Sequence, residues 1–169
     1  MQEKDMLPVI NEEGEFIKLA PRKLCHDGKS MLLHPVVHLH IINSKGQIFL
    51  QKRSVKKDIQ PGKWDTSVGG HVDPGETIRE TLIREAAEEA GLRDFRYKLL
   101  EKYVWESHRE REMVHSFVTH NDHVPHTDPV EVDEARFWLP GEIEEKLGKG
   151  IFTPNFEYEY LHVLNKVMY

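Results

Sequence analysis

Alternation of apolar and polar positions predicts β-strands through most of the chain. Residues 7–20 predict a hairpin with its turn at Glu13-Gly14, and residues 34–54 predict a stronger hairpin with its turn at Lys45-Gly46. In the second hairpin the apolar positions alternate with His38 and His40, which therefore point to one face. The other strand-like segments are 95–107, 111–120 and 135–139, together with a short strand at the end of the loop 59–70.

The hydrophobic period changes to that of a helix between Thr77 and Gly91. Thr77 can cap the helix start, Glu80 three residues later completes a capping box, and Gly91 is placed to end the helix. A buried stripe is predicted from the apolar residues at helical spacing, which are Ile78, Leu82, Ala86 and Ala90. After a polar loop over 121–134, a short helix is expected over 140–148 and a C-terminal helix from Thr153-Pro154, with Phe156, Tyr160, Leu164 and Val167 on one face.

The order of these elements predicts an α+β, or mixed α/β, fold. Strands dominate the middle of the chain and helices punctuate it, which favours helices packed in layers against a sheet. With 169 residues, 38% hydrophobic and 31% charged, the chain has the size and composition of one globular domain. We expect a single domain over residues 1–169, in which residues 1–35 form an N-terminal hairpin extension.

Charge and cysteine usage narrow the classes of function. A net charge of −6 argues against non-specific binding to nucleic acid, which needs a basic face, but it leaves room for a phosphorylated small molecule whose charge a metal ion offsets. The lone cysteine, Cys25, rules out a disulfide framework within the chain. No apolar run approaches the roughly 18 residues that span a membrane, and the acidic N-terminal segment lacks the features of a signal peptide. We expect a cytoplasmic protein.

Three glutamates on the helix suggest a metal site. Glu85, Glu88 and Glu89 stand at i, i+3 and i+4 and share one face, where each like-charged pair costs roughly 0.2–0.5 kcal/mol unless a partner offsets it. A hard cation such as Mg²⁺ removes that penalty, whereas a solvated acidic surface is the alternative interpretation. Just before the helix, Gly69 and Gly70 let the backbone approach a ligand, and a glycine carbonyl can itself bind the metal. This combination suits transfer of a phosphoryl or pyrophosphoryl group to water.

The wider spacing of these residues resembles the Nudix box of the Nudix hydrolases. The pattern comprises Gly70, Glu76, Arg84, Glu85, Glu88, Glu89, Gly91 and Leu92, and only Ala86 is smaller than the aliphatic residue common at its place. The resemblance implies an α/β/α sandwich with a mixed central sheet, and an attack of water on a diphosphate that depends on Mg²⁺ or Mn²⁺. It implies substrates in which a nucleoside diphosphate is linked to another moiety.

The same resemblance assigns roles by position. Glu85 and Glu89 correspond to the main metal ligands, Glu88 to a further ligand or a base, and the Gly69 carbonyl to a backbone ligand. Arg84 sits beside them, where it can orient the carboxylates by pairing with Glu76 or Glu80. Family members often take a base from outside the box, and Glu131 and Glu134 are the candidates here.

The segment from Leu32 to Val72 resembles the isopentenyl diphosphate isomerase branch of the same superfamily. In those isomerases three histidines and two glutamates hold a metal. Their counterparts here are His34, His71, Glu110 and Glu112, with His26 a looser match, and such a set suits Zn²⁺ or Mn²⁺. The isomerase cysteine is replaced by Gly69, and the box is intact, so both departures favour a hydrolase. An isomerase with the thiol's role refilled and a non-catalytic module that senses a nucleotide diphosphate remain alternatives.

Several residues near the box are candidates for binding substrate. Arg53 and Lys57 can meet the phosphates, although a solvated basic turn is equally plausible. Trp64 can stack on a base, although in this context tryptophan is more often a core residue. His38 and His40 are more often hydrogen-bonded strand residues than ligands. The sequence does not identify the substrate beyond a small-molecule diphosphate, and a homodimer is expected only because many family members form one.

Overall fold

A computed structural model describes the backbone of residues 5–168, and residues 1–4 and 169 of the expected single domain lie outside the described part. The strands are β1 (Met6–Ile10), β2 (Phe16–Pro21), β3 (Leu33–Ile42), β4 (Ile48–Arg53), β5 (Trp64–Asp65), β6 (Val68–His71), β7 (Lys98–Glu106), β8 (Arg111–His120) and β9 (Val132–Trp138). The helices are α1 (Arg22–Cys25), α2 (Ile78–Ala90), α3 (Pro140–Lys146), α4 (Pro154–Glu159) and α5 (Asn165–Met168), with a π-helical turn (Tyr160–Leu164) between the last two.

The central sheet is mixed and contains seven strands, β3 to β9. Its order runs β5-β4-β3-β8-β7, with β6 also pairing with β3 and β9 with β4. β3 and β8 are parallel along ten residue pairs, from Leu33 with Arg111 to Ile42 with His120, and the other pairs are antiparallel. β3 therefore lies at the centre and carries neighbours on both edges.

The second predicted hairpin is confirmed in its two strands and its turn, but its strands pair over a much shorter length than the alternation suggests. β3 and β4 meet only where Ile42 faces Ile48, next to the turn at Gly46. Beyond that point β6 takes the edge of β3 from Val36 to Leu39, and β5 takes the same edge of β4 at Gln51 and Lys52, while β9 pairs along the other edge of β4. The separation arises because the later segment 64–71 inserts between the two strands, which alternation along 34–54 cannot reveal.

Helices cover both faces of the central sheet. On one face, α2 buries Leu82, Ala86 and Ala90 against Val37 and Phe117. On the other face the C-terminal elements bury their side chains on β3, β4 and β9, and this cluster includes Ile48, Trp64, Trp138, Ile143, Phe156 and Leu164. The three layers confirm the predicted α/β/α sandwich with a mixed sheet.

Local signals fixed α2 as predicted. The Thr77 hydroxyl accepts a hydrogen bond from the Glu80 amide, and the Glu80 carboxylate accepts one from the Thr77 amide. Gly91 ends the helix in the left-handed conformation, at φ 64°. The C-terminal helix also begins as expected, with the Thr153 hydroxyl accepting from the Phe156 amide. It is interrupted by the π-helical turn directly after Glu159, which the apolar period did not predict.

The first hairpin is confirmed as β1 and β2, which form a separate two-stranded sheet with Gly14 at φ 84° in the turn. Its buried side chains Leu7, Val9 and Ala20 pack around Cys25 of α1. Within residues 5–168, no helix combines the length and the apolar character that a membrane crossing requires.

Candidate active site

Strand β6 brings two groups of polar side chains to one place. Residues paired across neighbouring strands share a face, so Gly70, opposite Val37, faces α2, while Gly69 and His71, opposite His38 and Val36, face the other side. The box carboxylates therefore approach β6 from one face and the histidines from the other. Both groups open into one cleft of about 720 Å³, lined among others by Glu85, Glu89, His26, His71 and Glu110.

Two box glutamates lie against the glycines of β6. A β-carbon on Gly70 would stand 2.2 Å from the Glu85 carboxyl carbon, so this glycine makes room for the carboxylate. The Gly69 amide donates to Glu89 at 2.9 Å. Burial, and then the charge of Glu85, raises the pKa of Glu89 to about 8, and burial also raises the pKa of Glu85. Such desolvated, mutually repelling carboxylates are suited to a divalent cation.

Arg84 connects the carboxylates of this side. Its guanidinium donates to both oxygens of Glu76 at 2.8 and 2.9 Å, to Glu85 at 2.7 Å and to the His71 carbonyl at 3.1 Å. Glu76 is held in turn by the Thr81 hydroxyl at 2.6 Å. The hydrogen bond from Arg84 holds the pKa of Glu76 at about 2, so both side chains of this pair are ionised. The pair anchors the guanidinium that holds Glu85 in place.

Glu88 stands apart from the other box glutamates. Its side chain is 60% exposed and accepts a bond of 3.3 Å from Arg84, and it is not among the described residues that line the cleft. The shared helix face predicted for the three glutamates is therefore divided: Glu85 and Glu89 face β6, while Glu88 lies at the rim.

The second group is a cluster of three histidines and a glutamate. Ligand atoms of His26, His34, His71 and Glu110 lie within 4.8 Å of one another. The Nε2 atoms of the histidines and Oε2 of Glu110 are buried, and within the described residues none has a hydrogen bond of good geometry, although His26 Nε2 and Glu110 Oε2 are 2.8 Å apart. These four converging nitrogen and carboxylate atoms, which lack hydrogen bonds, form the donor set that Zn²⁺ or Mn²⁺ prefers.

The hydrogen bonds at Nδ1 of His34 and His71 determine whether Nε2 of each ring is free to bind a metal. Nδ1 of His34 lies 2.9 Å from the Leu32 carbonyl, which assigns the proton to Nδ1 and leaves the lone pair on Nε2. Arg22 donates to Nδ1 of His71 at 3.0 Å, which places the proton of the neutral ring on Nε2. Ligation through His71 therefore requires Arg22 to move or that proton to leave.

Glu112 adds a further carboxylate to this cluster. Its Oε2 lies 3.9 Å from Nε2 of His34 and 4.0 Å from Nε2 of His71. Burial, and then the charge of Glu110, raises the pKa of Glu112. The structure thus brings together all four residues expected for the second site and adds His26 as a close member.

Of the three residues predicted to bind substrate, two line the cleft and one lies in the core. Arg53 and Lys57 line the cleft, where Arg53 bonds to the Ile59 carbonyl at 2.9 Å and Lys57 forms an ion pair with Glu131. Trp64 is 8% exposed and packs edge-on against Trp138 in the core, so the structure places it away from the cleft.

The candidate base Glu134 is exposed on β9, opposite Lys52, and lies outside the described lining of the cleft. Trp105 on β7, which the pattern did not single out, does line it. Trp105 lies opposite Glu112 in the β7–β8 ladder, on the histidine side. Local alternation along the sequence does not reveal this pairing, so nothing in the pattern points to Trp105.

A buried carboxylate lies beneath the floor of the cleft. Glu159 at the end of α4 is fully buried and accepts from His38 Nδ1 and His40 Nε2 at 2.7 Å each, and from Tyr103 at 2.6 Å. The Ser116 hydroxyl also donates to it. The alternating histidines are thus hydrogen-bonded strand residues, but their partner is more than 100 residues away in sequence and gave no signal.

Burial disfavours the charged forms of Glu159 and His38, but their mutual attraction outweighs the effect of burial. Burial would raise the pKa of Glu159, whereas His38 and His40 hold it well below its usual range. Burial lowers the pKa of His38, and Glu159 outweighs that effect and raises it to about 9. The pair is therefore an imidazolium held by a carboxylate at neutral pH.

Comparisons with known proteins agree with this geometry. The NUDIX domain model matches residues 32–156. The chain is 33% identical over 143 residues to isopentenyl-diphosphate Delta-isomerase 1 of Photorhabdus laumondii, covering 78% of this chain and 80% of that protein. It is 28% identical to an uncharacterized Nudix hydrolase of Yersinia pestis, over 89% and 81% of the two chains. A crystal structure of a Deinococcus radiodurans protein superposes with a TM-score of 0.75 at 24% identity, over 88% and 91% of the two chains. Because the family model spans most of the chain and the box is complete, this protein belongs to the NUDIX family.

Proposed function

We propose that this protein is a metal-dependent hydrolase that cleaves the diphosphate linkage of a nucleotide or another organic diphosphate. The observation that carries the proposal is the pair Glu85 and Glu89, desolvated against Gly69 and Gly70 at the wall of a cleft. In the reaction, the oxygen of water forms a bond to phosphorus and the bridging P–O bond breaks. Two phosphate-bearing products leave.

The residues of the cleft have separate tasks in this proposal. Glu85 and Glu89 would hold Mg²⁺ or Mn²⁺, with Glu88 and the Gly69 carbonyl as further ligands. The cation would offset the charge of the diphosphate and activate water. Arg84 fixes the carboxylates through its bonds to Glu76 and Glu85.

Substrate phosphates and proton transfer involve residues outside the box. Arg53 and Lys57 lie on the cleft wall and can pair with substrate phosphates if they exchange their present partners. Glu88 and Glu134 are the expected bases, and both lie outside the described cleft lining, so either would need to approach when substrate binds.

A second divalent ion would bind in the histidine cluster. His26, His34, His71, Glu110 and Glu112 offer nitrogen and carboxylate ligands, and the buried atoms of the first four, which make no hydrogen bond, fit such an ion. Titration with Zn²⁺ and Mn²⁺ should show a site that His34→Ala removes and Glu89→Gln retains. A binding curve unchanged by His34→Ala would contradict this assignment.

The activity is testable with a panel of nucleoside di- and triphosphates, dinucleotides, nucleotide sugars, thiamine diphosphate and isoprenoid diphosphates. Each is incubated with Mg²⁺ or Mn²⁺, and the phosphate-bearing products are separated from the substrate and measured by anion-exchange chromatography. We expect at least one substrate whose cleavage is lost in Glu89→Gln and kept in Glu145→Gln, the same substitution at an exposed glutamate on α3. Near-normal turnover by Glu89→Gln would refute the assignment, and tight binding without product would favour a sensing module.

One observation favours an isomerase as the second candidate. The histidine cluster assembles the metal set of the isomerase branch, and a relative that is named as an isomerase aligns over most of this chain. Gly69, however, offers no side chain at the place of the isomerase cysteine. Deuterium uptake into isopentenyl diphosphate from heavy water would establish isomerisation. Its absence in the wild type, with uptake in Gly69→Cys, would assign the loss to this residue.

A further inference from the structure

Glu159 and its partners form a buried polar network beside the cleft. Its four donors come from three strands: His38 and His40 from β3, Tyr103 from β7 and Ser116 from β8. Burying a carboxylate is costly unless its hydrogen bonds are all made, and here each oxygen accepts two. The network thus holds each ring rigidly in place.

His38 differs from the other donors in its position. Within residues 5–168, it is the member of the network that also lines the cleft, whereas His40 and Ser116 are fully buried. Because Nδ1 bonds to Glu159, the opposite edge of the ring, with Cδ2 and Nε2, faces outward. That edge lies beside Gly69, whose β-carbon, if present, would be 3.5 Å from Cδ2 and 3.9 Å from Nε2.

This location is where the two polar groups meet. Gly69 binds Glu89 through its amide, and His71 of the histidine cluster is two residues further along β6. A diphosphate that reached both the box carboxylates and the histidine cluster within this one cleft would pass β6 at Gly69. The absence of a side chain at residue 69 leaves the outer edge of His38 open to that ligand.

We propose, on the basis of the function proposed above, that His38 is a further substrate-contacting residue, whose Nε2 meets an oxygen of the bound diphosphate while Glu159 holds Nδ1. Glu159 acts through His38 and is a positioning residue. The arrangement resembles a carboxylate that orients a catalytic imidazole, since the buried partner fixes the ring and the outer nitrogen meets the ligand.

Two variants separate this role from a structural one. Asparagine at residue 38 keeps an amide near the place of Nδ1 and can still bond to Glu159, but it leaves nothing at Nε2. His40→Gln is the matched control, because its amide replaces the Nε2 atom that bonds to Glu159, and His40 is buried beneath the cleft. Both variants retain the carboxylate's hydrogen bond, and only His38→Asn removes an atom that faces the cleft.

The probe is methylenediphosphonate with Mg²⁺, which cannot be hydrolysed at its P–C–P bridge. We expect calorimetry to show binding about 10- to 100-fold weaker for His38→Asn, the loss of one charge-assisted hydrogen bond, and unchanged binding for His40→Gln. In ¹⁵N spectra of the wild-type histidine rings, the His38 Nε2 signal should shift on addition of the probe while the His40 signals stay in place.

Three outcomes would overturn the proposal. An unmoved His38 signal at saturation, or equal weakening in both variants, shows a structural role only. A wild type that binds no diphosphonate in Mg²⁺ would remove both this assignment and the proposed function, whereas binding with no effect at His38 removes this assignment alone. The spectrum of the wild type decides the matter even if His38→Asn fails to fold.

Discussion

Gly70→Ala tests the link between β6 and the box carboxylates most directly. The added β-carbon would stand 2.2 Å from the carboxyl carbon of Glu85 and 2.5 Å from its Oε1. Carbon atoms pack at about 3.5–4.0 Å, so the carboxylate must retreat by roughly 1.3–1.8 Å. The atoms that clash are the end of a flexible side chain, so we expect the fold to survive and Glu85 to move. Its bond to Arg84, 2.7 Å in the wild type, would be broken or rearranged.

The expected consequence is a loss of metal affinity and of turnover. A displacement of about 1 Å in a catalytic constellation can cost on the order of 100-fold in rate, and disturbed ligand orientation costs roughly 10- to 100-fold in metal affinity. Mg²⁺ titration by calorimetry measures the affinity, because an oxygen-preferring ion reports on the carboxylates rather than the histidines. Unfolding in urea should change by less than about 1 kcal/mol, since the broken ion pair is only partly buried.

Gly141 provides the control for this substitution. A β-carbon on Gly141 meets nothing within 4 Å. Gly141→Ala should bind Mg²⁺ as the wild type does. Unchanged Mg²⁺ binding in Gly70→Ala, or an equal loss in Gly141→Ala, would show that the close approach of Glu85 to Gly70 does not support the metal site.

Three further predictions concern metal binding by the histidine cluster, the N-terminal cap of α2, and the stability of the protein at acid pH. His34→Ala should lower the content of Zn²⁺ or Mn²⁺ per chain, measured by elemental analysis, while far-ultraviolet dichroism stays constant; retained metal would contradict the cluster as a site. Thr77→Ala should lower the free energy of unfolding by about 1 kcal/mol, measured in urea, because the Glu80 amide loses its acceptor; a neutral result would show that the cap contributes nothing. Because the folded pKa of Glu76 is about 2, below its value of 4.5 in model compounds, its contribution to stability is present above about pH 4.5 and is lost as the pH falls through 2. The stability gap between wild type and Glu76→Gln should therefore narrow across that range, and a constant gap would contradict the assigned pair with Arg84.

Local signals predicted local structure well. The cap, the apolar stripe and the final glycine defined α2, because each acts within a few residues along the chain. The pairing of β3 could not be read in the same way, since the neighbours on its two edges, β6 and β8, come from later parts of the chain. Alternation identifies a strand and its faces, but it does not identify the partner.

The candidate site shows the same division. Glu85 and Glu89 were identified by spacing on one helix, and the histidine cluster came only from the resemblance to a family. The interaction of His38 and His40 with Glu159 was missed, because the periodicity shows two histidines on one face and gives no reason to seek a carboxylate at the end of a distant helix. The exposed position of Glu88 depends on how α2 rotates against β6, which spacing alone does not determine.

The Glu159 network also has a consequence for the order in which the chain folds. Its donors are synthesised long before their acceptor: His38 precedes Glu159 by 121 residues, Tyr103 by 56 and Ser116 by 43. A nascent sheet would therefore hold these polar groups in its interior without a partner until α4 arrives, and closing such long loops is slow. The central strands should consequently remain open to water during synthesis, and docking of α4 should be the late step that commits the whole sheet to its native packing.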